Sequence, residues 1–243
     1  MPRDHASSFG TAADAYATHR PDYAQAAVRW ALETAPGARV LDLGAGTGKL
    51  TATLVAEGAE VTAVEPDPAM LTELRRALPD VPAFAGSAEA IPLPDASVDA
   101  VLSGNAMHWF DMTVAGPEIA RVLAPGGILA GLWNVLDDRV DWVAGLARVS
   151  GSAVIGPRDT PAGWRAVIDL PHSERAEFPH GQRRTADSLV ATLTTRAGVL
   201  VMSDQDRNAT VVRIRAYLAS RPETAHGEFT LPMLTCALRT RQR

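Results

Sequence analysis

Cysteine and paired histidines are scarce in this sequence of 243 residues. The one cysteine, Cys236, has no partner for an internal disulfide bond. The six histidines include no pair at the H-x-x-x-H spacing that is typical of a zinc site on a helix. We therefore expect neither a disulfide nor a metal site.

The sequence also has no long apolar segment and no strong positive charge. Its longest apolar stretch, around GGILAGLWNV, is far shorter than the roughly 20 residues that cross a membrane. The N-terminal MPRDHASSFG lacks the apolar core of a signal peptide. A formal net charge of −5 gives no reason to expect nucleic acid as the main partner. We expect a cytoplasmic protein, a monomer or a homodimer, that binds neither membranes nor nucleic acid.

What the sequence does contain, up to about residue 137, is a regular alternation of strand and helix patterns with short connections. This alternation is the signature of βαβ units, and it predicts an α/β fold with a doubly wound parallel sheet. The predicted strands are 39–43, 60–65, 81–86, 97–104 and 128–135, and the predicted helices are 21–35, 47–57, 67–78 and 115–123.

The remainder is less regular, but it shows no linker that would divide the chain. Helical patterns cover 139–150, 185–197 and 203–220, a strand is possible at 174–178, and GEFTLPMLTCALRT at 227–240 reads as a closing strand. We predict a single domain, 1–243, with four parts: a helical cap at 1–35, a core at 36–137, a variable region at 138–228 and a final strand at 229–243.

The segment VLDLGAGTGKL, residues 40–50, places three glycines between a strand and a helix, where backbone N–H groups commonly hold a ligand. A dinucleotide-binding turn reads G-x-G-x-x-G, whereas Lys49 occupies the position of the third glycine here. Asp42 lies two residues before Gly44. An acid at that position favours a ligand with a positive group, such as an ammonium, over a pyrophosphate.

The following strands supply polar groups suited to an adenosine. Glu65 ends the second strand, where a carboxylate can accept from both hydroxyls of a ribose. Pro66 offers a flat apolar surface to a base. Ser87, Ala88 and Glu89 offer polar atoms and a backbone donor near its edge. These residues predict a ligand with an adenosine end, a zwitterionic end and no phosphate, and S-adenosylmethionine fits this description.

With these residues the sequence resembles the class I S-adenosylmethionine-dependent methyltransferases. It is similar to the small-molecule branch, methyltransferase type 11, which includes ubiquinone/menaquinone C-methyltransferases and trans-aconitate methyltransferases. VLDLGAGTGKL, VTAVEPDPAML, GSAEAIPLPDASVDAV and EIARVLAPGGILA resemble its motifs, in order and at the right spacing, over residues 36–134. The resemblance implies a Rossmann-like sheet of seven strands whose last strand is antiparallel and lies beside the fifth.

The resemblance also implies roles for particular residues toward the cofactor. The methionine and the ribose would be approached by Gly44, Ala45, Gly46 and Gly48, while Asp42 would orient the turn and the ammonium and Glu65 would hold the ribose. The adenine would be lined by Pro66 and Met70, and its edge would be met by Ser87, Ala88 and Glu89. The amino group would be bound by the backbone from Ser103 to Asn105.

The N-terminal FGTAADAYATHRPDY, residues 9–23, resembles the same segment of this branch. Arg20 could meet the methionine carboxylate through a charge-assisted hydrogen bond, and Tyr16 could lie near the sulfonium. We predict that residues 5–23 form a lid that folds over the cofactor.

On the acceptor side, SGNAMHWFD, residues 103–111, leaves the carboxyl end of the fourth strand, where ligand crevices form in open α/β sheets. Similar HWFD segments face the acceptor pocket in the trans-aconitate-like enzymes. His108 could act as a general base or orient the acceptor, since histidine titrates near neutral pH. Alternatively, His108 and Trp109 are packing residues at the start of the next helix.

The predicted function is methyl transfer from S-adenosylmethionine to a small-molecule acceptor by in-line displacement. Two alternatives stay open. A nicotinamide-dependent oxidoreductase is disfavoured by Lys49 and Asp42. A non-catalytic S-adenosylmethionine-binding protein is compatible with the sequence, because no residue in it is diagnostic of turnover.

Overall fold

The computed structural model describes residues 21–150, 173–194 and 202–242. Tyr16 and Arg20, and with them most of the predicted lid, lie outside these residues.

In the described part of the chain, seven strands form one sheet in the order β3-β2-β1-β4-β5-β7-β6. The pairs among β1 to β5 are parallel, whereas β7 is antiparallel to both β5 and β6. This topology confirms the Rossmann-like sheet with an antiparallel last strand. The strands are β1 (Arg39–Leu43), β2 (Glu60–Glu65), β3 (Ala83–Ala85), β4 (Val98–Gly104), β5 (Leu123–Leu136), β6 (Glu174–Thr185) and β7 (Glu228–Arg241).

The helices begin at signals that are visible in the sequence. The Asp67 carboxylate accepts from the N–H groups of Ala69 and Met70, so the turn after β2 passes directly into a helix. Ser203 caps the longest described helix in the same way. None of the helices in the described ranges is both long and apolar enough to span a bilayer. The helices are α1 (Gln25–Leu32), α2 (Lys49–Ala56), α3 (Pro68–Ala77), α4 (Met112–Val122), α5 (Asp141–Val149), α6 (Ala186–Thr194) and α7 (Asp204–Ala219).

Two strands are longer than their local patterns predict. β5 begins at Leu123 rather than at residue 128, and β6 runs to Thr185 rather than to residue 178. Every residue of β6 pairs with β7, so long-range pairing overrides the poor strand preference of Pro179 and Gly181. Pro179 is tolerated because β6 is an edge strand in the described sheet.

Apolar side chains cover both faces of the sheet. α1 and α2 pack against one face through a cluster that includes Val28 and Leu54, and α4 packs against the other through Ile119 and Val122. A third cluster joins α5, α6 and α7 to the first half of β7. The helices thus enclose the sheet but leave its carboxyl edge to loops.

Several functional segments meet at that edge. Because β1, β2, β4 and β5 are parallel, their carboxyl ends lie on one side of the sheet. β6 also ends there, since it is antiparallel to β7, which is itself antiparallel to β5. The glycine turn (residues 44–48) follows β1, and the β4 loop (residues 105–111) follows β4.

The packing around Gly48 predicts an unequal cost for two glycine substitutions. Gly48 and Gly58 flank α2 and both have left-handed φ angles, 88° and 83°. A Cβ atom on Gly48 would lie 3.1 Å from Leu74 and Leu78 side-chain atoms, whereas one on Gly58 would meet no described residue within 4 Å. We expect Gly58→Ala to cost about 1 kcal/mol and Gly48→Ala about 2 kcal/mol or more. Urea denaturation measures both, and equal losses would contradict the packing argument.

Candidate functional site

The glycine turn has a backbone shape that depends on its glycines. Gly44, Gly46 and Gly48 have φ angles of 71°, 58° and 88°, which side chains disfavour. A Cβ atom on Gly44 would lie 2.7 Å from the Cβ of Ala106, so the β4 loop closes directly onto the turn. A Cβ atom on Gly46 would meet no heavy atom of the described residues within 4 Å. Within this part of the chain, the turn is therefore packed at its ends and open at its middle.

Glu65 ties the glycine turn to the end of β2. One carboxylate oxygen accepts from the N–H of Gly46 at 2.8 Å, and the other accepts from the N–H of Asp67 at 2.8 Å. The side chain is buried, and this desolvation raises its pKa while the two backbone donors oppose the rise. Each carboxylate oxygen has a second lone pair, so Glu65 retains capacity to accept from hydroxyl groups.

Asp42 is a fully buried acid with incomplete hydrogen bonding. Its Oδ2 accepts from the Thr51 hydroxyl at 2.6 Å. Its Oδ1 is buried and has no hydrogen-bond partner in the described part of the chain. Burial raises the pKa of Asp42 to about 7, and the nearby charge of Glu65 adds to the rise. A cationic donor placed here would both satisfy Oδ1 and favour the ionised carboxylate.

The end of β4 is held by Tyr23, a contact that the sequence analysis did not find. The Asn105 side chain donates to the Tyr23 hydroxyl at 2.9 Å, and the Asn105 N–H donates to the Leu132 carbonyl at 2.8 Å. A Cβ atom on Gly104 would lie 2.5 Å from that hydroxyl, so Tyr23 packs closely on the strand. Asn105 itself has a left-handed φ of 53°. No local pattern links residues 82 positions apart.

The residues predicted to surround an adenine lie in different environments. Pro66 is exposed, Met70 is buried, and Ser87 is half-buried. Ala88 is buried in the core on the α4 side, so only its backbone is available to a ligand.

Glu89 connects this region to the β4 loop. Its carboxylate accepts from the N–H of Asp111 at 3.0 Å. The segment around Glu89 and the end of the β4 loop are therefore neighbours.

His108 lies in a 3₁₀ turn formed by Met107–Trp109. Met107 is buried, whereas His108 and Trp109 reach the surface and their ring centroids are 4.7 Å apart. His108 makes no hydrogen bond within the described residues, and partial desolvation lowers its pKa. The residue that anchors this turn by packing is thus Met107, and the lowered pKa of His108 favours its neutral form, which can accept a proton.

A cleft lies at the carboxyl edge beside Asn105, and we call it the acceptor cleft. It combines a wall of apolar side chains with amides and one arginine. His108 is not among the residues that line it. The lining residues are Pro21, Asn105, Asn134, Leu136, Gln182, Arg184, Leu189, Thr192, Leu193, Leu231 and Met233.

The buried state of Asp42 predicts a specific pH dependence of stability for the ligand-free protein. The pKa is raised from 3.8 to about 7, so the folded state binds this proton more tightly than the unfolded chain. Stability is lost as the pH rises from about 4 to about 7, by about 4 kcal/mol in all, since one pKa unit corresponds to about 1.4 kcal/mol. Asp42→Asn removes this loss, so the free energy of unfolding of the variant should rise relative to that of the wild type over that range.

Urea denaturation across the pH range measures this difference. Asp99→Asn is the matched control, because the hydrogen bond from Arg39 lowers the pKa of Asp99. The ionised Asp99 carboxylate stabilises the fold above the pKa that it has in the unfolded chain. The free energy of unfolding of Asp99→Asn should therefore fall relative to that of the wild type as the pH rises. A difference between Asp42→Asn and the wild type that does not change with pH would contradict the prediction.

Comparison with known proteins identifies the family. A family model described as a methyltransferase domain matches residues 41–131. The chain is 42% identical over 240 residues to the uncharacterized methyltransferase Rv3342 of Mycobacterium tuberculosis, covering 98% of this chain and 96% of that protein. It is 41% identical over 100 residues to a demethylmenaquinone methyltransferase of Beutenbergia cavernae, covering 41% of this chain and 42% of that protein.

A solved methyltransferase structure has a similar fold. The fold is similar to that of a putative type II methyltransferase from Anaeromyxobacter dehalogenans, with a TM-score of 0.69 and 27% identity over 91% of this chain and 97% of the other. Together with the sheet order, these relatives show that the chain belongs to the class I S-adenosylmethionine-dependent methyltransferases.

Proposed function

We propose that this enzyme transfers a methyl group from S-adenosylmethionine to a small-molecule acceptor at the carboxyl edge of its sheet. The observation that carries the proposal is the pairing of an open glycine turn with a buried acid whose Oδ1 has no partner among the described residues. The acceptor cleft begins at Asn105, at the end of the neighbouring strand β4. Family membership favours neither of the two alternatives, an oxidoreductase or a non-catalytic binder.

The electrostatics of the site agree with this cofactor. Asp42 and Glu65 are both buried, and their mutual repulsion contributes to the raised pKa of Asp42. A pyrophosphate beside two buried carboxylates would be repelled, whereas an ammonium would be attracted. Lys49, the basic residue at the end of the turn, is paired with Asp22 at 3.0 Å.

We assign the cofactor contacts residue by residue as part of this proposal. The glycine turn, with Ala45, would approach the methionine and the ribose. Glu65 would accept from the ribose hydroxyls through its second lone pairs, and Asp42 would receive the ammonium. The remaining contacts would come from Pro66 and Met70 at the adenine face, from Ser87, Ala88 and Glu89 at its edge, and from the backbone of Ser103 to Asn105.

The bound cofactor would supply a methyl group that is already activated on a sulfonium centre. The protein therefore needs to position the acceptor and to exclude water rather than to create a strong nucleophile. We propose that His108, three residues after Asn105 in the β4 loop but outside the lining of the cleft, takes the proton from an accepting group that extends from the cleft toward this loop. The roles of Tyr16 and Arg20, the cytoplasmic location, the domain division and the oligomeric state stay predictions from the sequence.

Glu65→Ala tests the cofactor site. The substitution leaves ribose hydroxyls without an acceptor, so we expect the affinity for S-adenosylhomocysteine to fall by about 1–3 kcal/mol. Isothermal titration calorimetry measures it. Glu60→Ala, at the exposed start of the same strand, should leave the affinity unchanged.

Because Glu65 also holds Gly46 and Asp67, thermal unfolding of each variant must be measured alongside. Glu65→Gln keeps the shape of the side chain and should show an intermediate loss of affinity. If the wild-type protein binds NADH and does not bind S-adenosylhomocysteine, the proposed function fails.

His108→Ala tests the proposed base. A general base contributes about 10²-fold or more to turnover, so we expect a loss of that size with an unchanged affinity for S-adenosylhomocysteine. Release of S-adenosylhomocysteine from S-adenosylmethionine, measured with an acceptor that the wild type methylates, gives the rate. Trp109→Ala, which removes the neighbouring tilted ring, should reduce the rate much less. Loss of cofactor binding in His108→Ala would instead make the residue structural.

A further inference from the structure

The loop after β3, residues 86–97, carries the three residues that the proposed site places at the adenine edge. We call it the β3 loop. Ser87, Ala88 and Glu89 lie near its start, and the loop connects β3 to β4 without forming a regular strand or helix of its own. A segment of this kind keeps a fixed shape where other parts of the chain bind its backbone groups. The contacts that hold the β3 loop therefore decide the geometry that an adenine would meet.

Two side chains of α4 bind the backbone of the β3 loop. The Glu118 carboxylate accepts from the N–H of Ile91 at 3.0 Å. The Arg121 guanidinium donates to the carbonyl of Ile91 at 3.0 Å and to the carbonyl of Leu93 at 2.8 Å. One helix thus satisfies three backbone groups of the stretch 91–93. We call Glu118 and Arg121 the α4 clamp.

The two members of the α4 clamp also hold each other. Arg121 donates to one oxygen of Glu118 through Nε at 2.8 Å and to the other through Nη2 at 2.9 Å. These bonds and the N–H of Ile91 lower the pKa of Glu118 to about 2, so the clamp is ionised at neutral pH. Both side chains still reach solvent, and an ion pair in such a position contributes little to stability by itself. What the pair supplies is a guanidinium that is held in a fixed plane.

The β3 loop folds back on itself, so the clamped stretch, residues 91–93, lies against the start of the loop. The N–H of Ala90 donates to the carbonyl of Ser87 at 3.2 Å. A Cβ atom on Gly86 would lie 2.7 Å from Cδ of Pro92, so the two ends of this fold are in contact. Displacing the clamped stretch would therefore shift the start of the loop, where the residues proposed for adenine lie.

α4 holds the same loop a second time, at its own N-terminus. The N–H of Asp111, the residue that caps α4, donates to the Glu89 carboxylate at 3.0 Å. The β3 loop is thus bound by both the first and the last turns of one helix. Because α4 packs on the sheet through Ile119 and Val122, the helix provides a rigid support for residues beside the proposed cofactor.

We propose that Arg121 is a positioning residue for the cofactor: held by Glu118, it fixes the β3 loop so that residues 87–89 meet the edge of the adenine. This inference rests on the proposed function, because it assigns a support for the same cofactor site. The clamp acts through the loop and makes no contact with the cofactor itself. Removing it should weaken cofactor binding and reduce the discrimination between adenine and other bases.

The test uses two probes that differ only at the adenine edge. S-inosylhomocysteine has an oxo group where S-adenosylhomocysteine has the 6-amino group, so it reverses the hydrogen-bonding pattern of that edge. Both are titrated by calorimetry into the whole chain. We expect the wild type to bind the adenosine compound about 10-fold or more tightly, since a mismatched edge leaves hydrogen bonds unmade. Arg121→Gln should weaken this binding about 10-fold and reduce the preference to about 3-fold or less.

Arg39→Gln is the matched control, because Arg39 makes the same kind of ion pair at the opposite edge of the sheet. It donates to both oxygens of Asp99, at 3.0 Å and 2.7 Å, where β1 begins. Its loss should lower the free energy of unfolding, as the loss of the clamp does, and should leave both affinities unchanged. Arg121→Lys keeps the charge but loses the fork, so it should restore part of the preference. If Arg121→Gln does not fold, the comparison between Arg121→Lys and Arg39→Gln decides.

Hydrogen exchange tests the step that links the clamp to the site. In the ligand-free protein, peptides that cover residues 86–97 should exchange faster in Arg121→Gln than in Arg39→Gln. Equal exchange in the two variants would mean that the clamp does not hold the loop, and it would overturn the inference.

The remaining outcomes separate this inference from the proposed function. If the wild type binds S-adenosylhomocysteine but Arg121→Gln and Arg39→Gln have the same affinities, the clamp only supports the fold and the proposed function stands. Equal binding of the two compounds by the wild type would show that the adenine edge is not read, and would remove the role assigned to the loop. If the wild type binds neither compound, the proposed function fails and this inference fails with it.

Discussion

The proposed cofactor half of the site depends on a short connection between the end of β2 and the glycine turn. Gly44 and Ala45 both donate to the carbonyl of Val64, and Gly46 donates to the carboxylate of Glu65. Three residues of the turn have left-handed φ angles, so the turn cannot form the regular backbone hydrogen bonds of a strand or a helix. The bonds to Val64 and Glu65 satisfy its N–H groups instead. The parallel pairing of β1 with β2 places Val64 opposite Leu43, which is why these acceptors lie within reach.

The same arrangement buries two acids, Glu65 and Asp42, and the two differ in the hydrogen bonds that they accept. Glu65 receives two backbone N–H groups, which stabilise its charge. Asp42 receives the hydroxyl of Thr51 on one oxygen, and its Oδ1 has no hydrogen-bond partner among the described residues. Burial therefore dominates the pKa of Asp42. The ionised form of Asp42 is thus destabilised, and a positive group placed beside it would favour ionisation and lower its pKa.

The features that could be predicted from the sequence are those coded by neighbouring residues. The glycine turn, the Asp67 and Ser203 caps and the alternation of strands and helices all have local signals. The order of the last two strands was predicted from the resemblance rather than from any pattern in β6. Pro179 and Gly181 are unfavourable in strands, so the local sequence did not indicate the full length of β6.

The features that escaped prediction are contacts between distant parts of the chain. The bond from Asn105 to Tyr23 spans 82 positions. Arg184 stood among several arginines of the variable region, and nothing local distinguished it from Arg183. Only the pairing of β6 with β7 decides which of the two points inward.

The antiparallel last strand links these two halves of the site. If β6 followed β5 directly as an antiparallel neighbour, its carboxyl end would lie at the opposite edge of the sheet. Because β7 is inserted between them and is antiparallel to both, β6 runs parallel to β5 and ends beside it. Gln182 and Arg184 thereby reach the edge that carries Asn105 and the glycine turn. The inserted strand thus brings residues from the least regular part of the chain to the edge where the first four strands place the proposed site.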